Sequence, residues 1–594
     1  MPRPPGSRTP LSRTAGARRT APLRRALALA LALPLAAAGQ LTDPPPAAAS
    51  DNGLSIRPAM GWSSWSFVRR WPTEAKIKAQ ADAMLSSGLK DKGYIHINLD
   101  DFYQKCDANG FIVDDYGRWA VDEKKFPSGI KALADYIHDK GLKFGFYVTP
   151  GIAKNAVTRN TPIEGTPYRA KDIADTSKQE KNYNCKNMYY IDYSKPGSQE
   201  FVNSWARQFA SWGVDYLKID GVGSHDIPDV RAWDKALRAT GRPINYALSN
   251  NLAIADAPTW RQLANSWRTQ GDVECYCGPG PNGSGYPLTD WGHITSRFTS
   301  AANWQQYAGP GGWNDLDSLQ IGNGDQVGLT ADQRRSHLTL WAMAASPLLL
   351  GTDLTALNTT DTAMLTNERL IAVNQDGVAA KRIVNSGAKQ VWSKREADGD
   401  HVIALFNTGA SGNQTVSVTW AQAGFTGTAQ VTDLWSGRDG GAVADSYSVT
   451  LRPGETRLIR AAPAAGNTVR HEAENASYTA GSTVDSNHGG FSGSGFVNTP
   501  NAVGSSVEWT VESASARSAP VTVRYANGTA QGRPMDVSVN GTVVAAGRAF
   551  DSTGTWTNWT DATLTVPLQA GANTIRVSAT TANGAPNLDY LDRG

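Results

Sequence analysis

The sequence predicts a (β/α)8 TIM barrel followed by two antiparallel β-sandwich domains. Between Arg57 and Gln375, short apolar runs alternate with amphipathic stretches, and eight such units over this length are typical of a barrel. After Gln375 the hydrophobic period changes to two, as in a small antiparallel sandwich, and a second all-β segment runs from about Val469 to Gly594. A chain of 594 residues is long enough for three such domains.

Residues 1–50 have the composition of a targeting segment. Arginines recur up to Arg24 and Arg25, and the apolar run "ALALALALPLAAAG" and a Pro/Ala-rich stretch follow them. The run is too short to span a membrane comfortably, and no later segment has about eighteen consecutive uncharged apolar residues. We expect a signal peptide and a secreted, extracellular protein without a membrane anchor, exported by either the general or the twin-arginine route.

Composition excludes one class of partner and is compatible with another. The formal net charge is +3 and charged residues make up 19% of the chain, so no basic stripe indicates a nucleic-acid partner. The 19 tryptophans, 19 tyrosines and 14 phenylalanines are a high aromatic load. Aromatic rings can stack on sugars, although buried packing accounts for most of them in any protein. The oligomeric state is not indicated.

The four cysteines are Cys106, Cys185, Cys275 and Cys277. In an exported chain they can form two disulfides in any of three pairings, which the sequence leaves open. Cys275 and Cys277 in "ECYCG" are an alternative pair of thiolate metal ligands, but no His or Cys partner stands at metal-site spacing.

The barrel is predicted over residues 51–378. Stretches such as "EAKIKAQADAMLSSGLKDKG" and "GIKALADYIHDKG" have the apolar spacing of helices that pack on a sheet, and their closing glycines fit helix ends. The strand candidates are "PAMGWSSW", "YIHINLDD", "LKFGFYVTP", "VDYLKID", "INYALSN", "NSWRTQGD", "AGPGGWNDLD" and "PLLLGTDL".

Polar residues recur at or just past the ends of these predicted strands. The carboxyl ends of barrel strands meet at one face, where side chains of several strands converge. One such charge in isolation is most often a solvated loop residue or a helix cap, but recurrence at five or more strand ends is poorly explained in that way. The set comprises Asp100, Asp101, Tyr147, Lys218, Asp220, Ser249, Asn250, Arg268, Asp272, Asp315 and Asp317.

The sequence lacks the motifs of several other enzyme classes. It contains no GxSxG elbow, phosphate-binding loop, dinucleotide fingerprint or HExxH pair. Carboxylates with a lysine, an arginine and tryptophans are the inventory for hydrolysing glycosidic bonds, where one carboxylate attacks or activates water and another protonates the leaving oxygen. Period-two geometry places Lys218 and Asp220 on one face of a strand. We expect Lys218 to keep Asp220 ionised, and Arg268 to do the same or to bind a hydroxyl.

Seven segments follow one another along the barrel: "MGWSSWS" (60–66), "NLDDF" (98–102), "YLKID" (216–220), "SWRTQGD" (266–272), "GPGGWNDLDSLQIGN" (309–323), "LWAMAASPLLLGTDL" (340–354) and "LIAVNQDG" (370–377). In this order they resemble glycoside hydrolase family 27, the α-galactosidase family. The resemblance implies that Asp220 is the nucleophile and Asp272 the acid/base of a retaining mechanism, without a metal or organic cofactor in catalysis. Retention implies carboxyl groups about 5–5.5 Å apart.

The resemblance also implies a sugar subsite and a substrate. Ser249 and Ser318 stand where the family commonly has other residues, and the insertion at residues 159–198 could carry an extra subsite. Asp100 and Asp101 would accept hydrogen bonds near O4 and O6 of galactose, whereas a glutamate at either position would favour arabinopyranose. The predicted sugar-binding residues are Trp62, Asp100, Asp101, Tyr147, Lys218, Ser249, Arg268 and Ser318.

The implied function is an exo-acting α-galactosidase that releases terminal α-galactose from oligo- or polysaccharides by double displacement. A β-L-arabinopyranosidase or an isomalto-dextranase of the same family is an alternative, because the departures from the family pattern fit a divergent branch. An inactive carbohydrate-binding protein is an alternative of another class. The presence of Asp220, Asp272 and Lys218 argues against it, since an inactive descendant would be free to lose them.

The remaining chain is divided into a β domain at 379–462, a linker at 463–468 and a last domain at 469–594. The last domain opens with "HEAENA" and closes with "NLDYLDRG", a pairing that resembles carbohydrate-binding module family 35. The resemblance implies a jelly-roll sandwich in which Glu472, Glu474 and Asp589 hold a structural Ca2+, for which carboxylate oxygens are suitable ligands. The alternative is that the three are plain surface carboxylates. The ligand of the module is not indicated.

Overall fold

The computed structural model describes residues 50, 52–180, 182–396, 399–464, 469–513 and 516–594. The predicted signal peptide, apart from residue 50, and positions 465–468 of the predicted linker lie outside the described residues. Among the helices of these ranges, none is both long enough and apolar enough to cross a bilayer.

Eight strands within the described ranges form one parallel sheet that closes into a barrel, which confirms the predicted fold class. Strands that follow one another in the chain lie side by side, and the first strand pairs with both the second and the eighth. Just past the seventh strand, Leu319 forms a parallel bridge with Leu350 and closes the ring. The strands are β1 (Met60–Ser63), β2 (His96–Asn98), β3 (Lys143–Val148), β4 (Tyr216–Ile219), β5 (Asn245–Leu248), β6 (Ser266–Arg268), β7 (Trp313–Asp315) and β8 (Leu348–Leu350).

Helices alternate with the strands and bury one face against the barrel. In Gly129–His138 the buried residues Ile130, Leu133 and Ile137 recur at three- and four-residue spacing, as in an amphipathic helix. Thr330 caps a later helix by accepting a hydrogen bond from a backbone N–H of its first turn. The α-helices of the barrel are Trp65–Val68, Glu74–Ser86, Gly129–His138, Lys154–Arg159, Ala170–Ile173, Ser198–Trp212, Ile227–Ala239, Ala257–Leu263, Trp291–Trp304, Ala331–Met343, Thr359–Leu365 and Glu368–Gln375.

Two disulfides fix loops at the carboxyl ends of the strands. Cys106, which follows β2, is bonded to Cys185 of the insertion between β3 and β4. Cys275 is bonded to Cys277 after β6, so these two sulfurs are not thiolate metal ligands. The insertion forms a small antiparallel sheet from Ala174–Glu180 and Met188–Ile191, which a short strand at Ile152–Ala153 joins.

The chain after the barrel forms antiparallel sheets, as the fold class requires. The β domain has a six-stranded and a two-stranded sheet around a core that includes Val391, Ile403 and Trp420. Its strands are Lys381–Ser386, Lys389–Arg395, His401–Asn407, Gln414–Thr419, Thr428–Asp433, Asp439–Ala444, Ser446–Leu451 and Thr456–Pro463, and its one described helix is Trp420–Ala423.

The last domain packs a five-stranded sheet against a six-stranded one over a separate apolar core that includes Trp509, Val523 and Ile575. Its first strand pairs with its last, which brings the two ends of the domain together. Its strands are Val469–Glu472, Ser477–Tyr478, Thr483–Asp485, Phe496–Asn498, Ser506–Ser513, Arg517–Ala526, Met535–Val539, Thr542–Arg548, Thr560–Leu568, Gly571–Ala579 and Asn587–Arg593.

Candidate active site

An ion pair joins β4 to the loop after β2 at the barrel mouth. Nζ of Lys218 lies 2.7 Å from Oδ2 of Asp100. Burial raises the pKa of Asp100, Lys218 opposes the shift, and the charge of Asp220 adds to it. Burial lowers the pKa of Lys218, but Asp100 and Asp220 outweigh burial and raise it, so the lysine stays cationic. The direct partner of Lys218 is therefore Asp100, and its charge reaches Asp220 across space.

Asp101, beside this pair, is a buried carboxyl group with one oxygen unpaired. The backbone N–H of Phe102 donates to its Oδ1 at 2.8 Å, whereas its buried Oδ2 has no hydrogen-bond partner among the described residues. Burial raises the pKa of Asp101 to about 7, and the neighbouring Asp100 adds to the shift. A buried oxygen of this kind is available to accept a hydrogen bond from a ligand hydroxyl.

Asp220 follows β4 and is partly exposed at the mouth. Tyr147 of β3 lies opposite Lys218 in the parallel register, and its hydroxyl donates to Oδ2 of Asp220 at 3.3 Å. Burial raises the pKa of Tyr147, with Asp101 and Asp220 adding to the shift. The tyrosine is therefore a neutral donor that orients the Asp220 carboxylate.

Arg268, at the end of β6, connects two further carboxylates. Its Nη2 lies 3.0 Å from Oδ1 of Asp272 and 2.9 Å from Oδ2 of Asp317, a residue that follows β7. Burial lowers the pKa of the guanidinium, but Asp317, Asp272 and Asp315 outweigh it and raise the pKa. Arg268 is thus a buried cation shared between two loops.

Asp272 accepts a second hydrogen bond, from the hydroxyl of Tyr276 to its Oδ2. Tyr276 lies between the bonded Cys275 and Cys277 with a positive φ of 51°. Although 41% of the Asp272 side chain is exposed, its surroundings shift its pKa. Burial alone would raise that pKa, but Arg268 and Tyr276 lower it to about 2. The free enzyme therefore holds Asp272 as a carboxylate.

Glu274 is a buried carboxyl group beside Asp272. Its Oε1 accepts a hydrogen bond from Ser66, and its buried Oε2 has no partner in the part of the chain that the structure describes. Oxygens of Asp272, Glu274 and Asp317 lie within 4.8 Å of one another. Burial raises the pKa of Glu274 to about 8, with Asp317 and Asp272 adding to the shift. A proton on Glu274 relieves the repulsion among the three carboxyl groups.

A cavity of about 40 Å3 opens among these strand ends. Ser249 and Ser318 line this cavity, and the structure thereby brings them together with the charged residues described above. The cavity is lined by Ser63, Asn98, Leu99, Asp100, Phe146, Tyr216, Lys218, Ala247, Leu248, Ser249, Arg268, Asp315, Asp317, Ser318 and Leu349.

Trp62 is not exposed at the mouth, contrary to expectation. It is completely buried, and its indole N–H donates to the carbonyl oxygen of Thr352 at 2.7 Å, which ties β1 to the chain after β8. β1 ends at Ser63 and a short helix begins at Trp65, whose ring is partly exposed. The tryptophan of "MGWSSWS" that a sugar can reach is therefore Trp65.

Sequence reasoning also missed Tyr276 and Glu274. Glu274 stands two residues after Asp272, and Tyr276 is the central residue of "ECYCG". The available signal for Tyr276 was the spacing of the two cysteines, because a disulfide between cysteines two positions apart fixes the conformation of the residue between them. No sequence pattern indicated that Tyr276 turns back to Asp272.

The three carboxylates predicted to bind calcium lie around Ser492 and Ser494 in the last domain, where the backbone N–H of Ser494 donates to Oε1 of Glu474 at 2.6 Å. The Ser492 hydroxyl donates to Glu472 at 2.7 Å, and its backbone N–H donates to Oδ1 of Asp589 at 2.9 Å. Oε2 of Glu474 is buried, and no described residue forms a hydrogen bond with it. Burial raises the pKa of Glu472 to about 8 and that of Asp589 to about 6, with the neighbouring carboxylates adding to both shifts. Arg524 pairs with Oδ2 of Asp589 at 2.8 Å.

Three family models match the chain in succession. The model described as alpha galactosidase A matches residues 58–176 and 185–376, which is more than half of the chain. The alpha galactosidase C-terminal beta sandwich domain matches residues 386–461. The carbohydrate binding module of family 35 matches residues 469–592. The first model leaves out residues 177–184 of the insertion.

Individual proteins agree with these matches. The α-galactosidase of Cyamopsis tetragonoloba is 34% identical over 65% of this chain and 81% of its own length. A β-L-arabinopyranosidase of family 27 from Geobacillus stearothermophilus is 30% identical, with a TM-score of 0.62 over 69% of this chain and 98% of that one. An isomalto-dextranase from Arthrobacter globiformis, at 20% identity and TM-score 0.66, shares the fold over 93% of this chain and 99% of that one. The chain is a glycoside hydrolase that belongs to family 27, the α-galactosidase family.

Proposed function

We propose that the barrel hydrolyses terminal α-galactosides with retention of configuration. Asp220 attacks the anomeric carbon, while Asp272 protonates the departing oxygen; Asp272 then deprotonates the water that releases the sugar. The observation that carries the proposal is the different setting of the two carboxyl groups. Asp220 is oriented by Tyr147 beside the Lys218 cation, whereas Asp272 lies on the exposed side, where Arg268 and Tyr276 hold it.

Asp272 needs a proton before the first step, and the free enzyme holds it ionised. A bound sugar that takes up hydrogen bonds of Arg268 and excludes water raises the pKa of Asp272 towards the range of a general acid. Arg268 is suited to this change because Asp317 remains as its second partner. Binding of the correct glycoside and protonation of the acid are thereby coupled.

The pair Asp100 and Asp101 supports galactose as the sugar. Lys218 occupies one oxygen of Asp100, while Oδ2 of Asp101 is buried and forms no hydrogen bond within the described ranges. This oxygen can accept from a hydroxyl in the O4 and O6 region, as the family resemblance implies. Both residues are aspartates, and the shorter side chain leaves room for the hydroxymethyl group of galactose.

The test is hydrolysis of nitrophenyl α-galactoside and nitrophenyl β-L-arabinopyranoside by the full chain, with the product anomer read by NMR at early times. We expect faster release from the galactoside and α-galactose as the first product. Faster release from the arabinopyranoside would overturn the sugar assignment and keep the mechanism. β-galactose as the first product would overturn retention, and no turnover of either glycoside would support an inactive binding protein.

We further propose that the last domain binds carbohydrate and holds calcium, and that the protein is exported. Glu472 and Glu474 would bind the ion together with Asp589, since oxygen ligands suit calcium and Oε2 of Glu474 has no other partner among the residues that the structure describes. The two disulfides support export to an oxidising compartment.

A further inference from the structure

Four aromatic side chains, Trp65, Phe102, Tyr183 and Tyr276, form a continuous surface at the mouth, which we call the rim cluster. The rings of Trp65 and Phe102 stack with centroids 6.2 Å apart, and Tyr183 meets their edges at 5.6 and 5.7 Å. The indole N–H of Trp65 donates to the hydroxyl of Tyr276 at 3.1 Å. Tyr183 is 46% exposed and Tyr276 40%, so the cluster is open to a ligand.

Two arginines hold the outer rings in place. The guanidinium of Arg70 lies 4.7 Å from the ring centroid of Tyr183 and donates to its hydroxyl. That of Arg69 lies 4.5 Å from the ring centroid of Tyr276. A cation over an aromatic face is attracted to the ring, so each tyrosine is oriented before a ligand arrives.

Tyr183 lies in a part of the insertion that is tied to the barrel. Cys185, two residues further on, is bonded to Cys106, and the amide of Asn182 donates to Thr149 at 3.2 Å. The stretch 177–184 lies outside the ranges that the family model matches. The ring of Tyr183 is thus an addition of this chain to the common barrel.

The rim cluster borders the space of the leaving group. The Tyr276 hydroxyl donates to Asp272, the carboxylate proposed to protonate the departing oxygen. An acid in that role faces the group that leaves, so rings in contact with it face the leaving group as well. The apolar C–H face of a pyranose packs well on an aromatic ring.

From these contacts we infer that the rim cluster binds the second sugar ring of an α-galactosyl oligosaccharide, with Tyr183 as its outer wall. This inference rests on the proposed function and names its substrate class: an oligosaccharide in which a further sugar follows the terminal galactose. The hydroxyl groups of that sugar would meet Arg70, whose guanidinium reaches the same surface.

The test compares two substrates, α-galactosyl fluoride, whose leaving group is an ion, and disaccharides in which galactose is α-linked to O3, O4 or O6 of galactose or glucose. We expect Tyr183→Ala to lower the ratio of kcat/KM for the best disaccharide to kcat/KM for the fluoride by about tenfold or more. Tyr183→Phe keeps the ring and loses only the hydroxyl, so its ratio should stay within about twofold of the wild-type ratio.

Tyr136→Ala is the matched control, because this tyrosine lies on the helix Gly129–His138 and bonds to Asp82. Its ratio should equal that of the wild type. An unchanged ratio in Tyr183→Ala would overturn the inference, and so would a wild type that cleaves the fluoride but none of the disaccharides. A wild type that does not cleave the fluoride would instead contradict the proposed function itself.

Discussion

Nζ of Lys218 lies 2.7 Å from Oδ2 of Asp100, although 118 positions separate the two residues in the chain. The pair joins β4 to the loop after β2 across the barrel mouth. Only 20% of the lysine side chain and 3% of the aspartate side chain are exposed. Removal of one partner would therefore leave the other charge buried and unpaired.

We expect Lys218→Met to destabilise the fold by about 3–5 kcal/mol, because it leaves a buried carboxylate without its cation. Urea unfolding measures the loss. Lys143→Met removes an exposed lysine from β3 and should cost about 0.5 kcal/mol or less. The double variant Lys218→Met/Asp100→Asn should recover most of the stability, and a single variant as stable as the control would contradict the role of the pair.

Azide distinguishes the roles of Asp220 and Asp272. In Asp220→Gly with a galactosyl donor that has a good leaving group, azide should attack from the face that the carboxylate has vacated and give β-galactosyl azide. In Asp272→Gly, azide should attack the glycosyl-enzyme from the opposite face and give α-galactosyl azide. Without azide, the first variant should lose about 10⁴-fold or more in kcat. NMR of the azides reads the result, and identical products would refute the assignment.

The loss of activity in Asp272→Gly should also depend on the leaving group of the substrate. The loss of kcat/KM relative to wild type should be about a hundredfold or more for phenyl α-galactoside, which needs protonation. The loss of kcat/KM should be much smaller for dinitrophenyl α-galactoside, whose leaving group does not need protonation. A loss of equal size for both substrates would indicate that Asp272 is not the acid.

Asp101→Glu should change the sugar preference. The longer side chain projects one methylene further into the site and crowds a hydroxymethyl group, so kcat/KM for the galactoside should fall about 10- to 200-fold. The arabinopyranoside lacks that group and should lose less. Asp107→Glu, at an exposed position in the same loop, is the control. An equal loss for both sugars would show that this position does not select between them.

Glu274→Gln should become more stable than the wild type as pH rises. The pKa of Glu274 is raised in the folded protein, to about 8 from 4.5, so the folded state binds this proton more tightly than the unfolded state. Its stabilising contribution is complete below about pH 4.5 and is lost as pH rises through about 8. Glutamine mimics the protonated form at every pH. We expect similar Tm values at pH 5 and a higher Tm for the variant at pH 8.5.

The exposed helical Glu200 provides a control for that experiment. Glu200→Gln should track the wild-type Tm across the same pH range. A Glu274→Gln variant whose Tm difference from wild type does not change between pH 5 and pH 8.5 would refute the buried proton.

Calcium should stabilise the last domain of the full chain. A ligand that binds only the folded state raises stability as its concentration exceeds Kd, so millimolar calcium should raise the Tm of the module transition and a chelator should reverse the rise. Titration calorimetry should give one ion per chain, and Glu474→Gln should abolish the shift. A wild type that is insensitive to calcium would contradict the calcium site and leave the three carboxylates as hydrogen-bond acceptors of Ser492 and Ser494.

The fold was predictable because its signals are local. The alternation of apolar runs with amphipathic stretches placed the eight barrel strands, and period two placed the sheets that follow. The register of the closed sheet decides which strand ends lie next to one another, and no local sequence pattern indicates that register. The sequence therefore paired Lys218 with its neighbour Asp220 rather than with the distant Asp100.

The differences between the predicted and the observed positions of single side chains have the same cause. Trp62 and Trp65 differ by three positions in "MGWSSWS", and only the end of β1 at Ser63 decides which ring is buried. The position of Tyr276 depends on a disulfide that encloses a single residue, and the sequence left the pairing open. Loop geometry sets the direction of a side chain after a strand ends, and neither the hydrophobic period nor the composition indicates that geometry.

The bond between Cys106 and Cys185 makes part of the mouth depend on where the chain folds. The pocket around Asp220 is assembled by strands and forms in any compartment, but the position of Tyr183 depends on an oxidant. A preparation from a reducing cytosol and one from an oxidising compartment would thus be the same polypeptide with different selectivity. Assays on longer saccharides would report the loss of the Cys106–Cys185 bond through Tyr183, whereas assays on simple glycosides would report the loss of the Cys275–Cys277 bond through Tyr276 and Asp272.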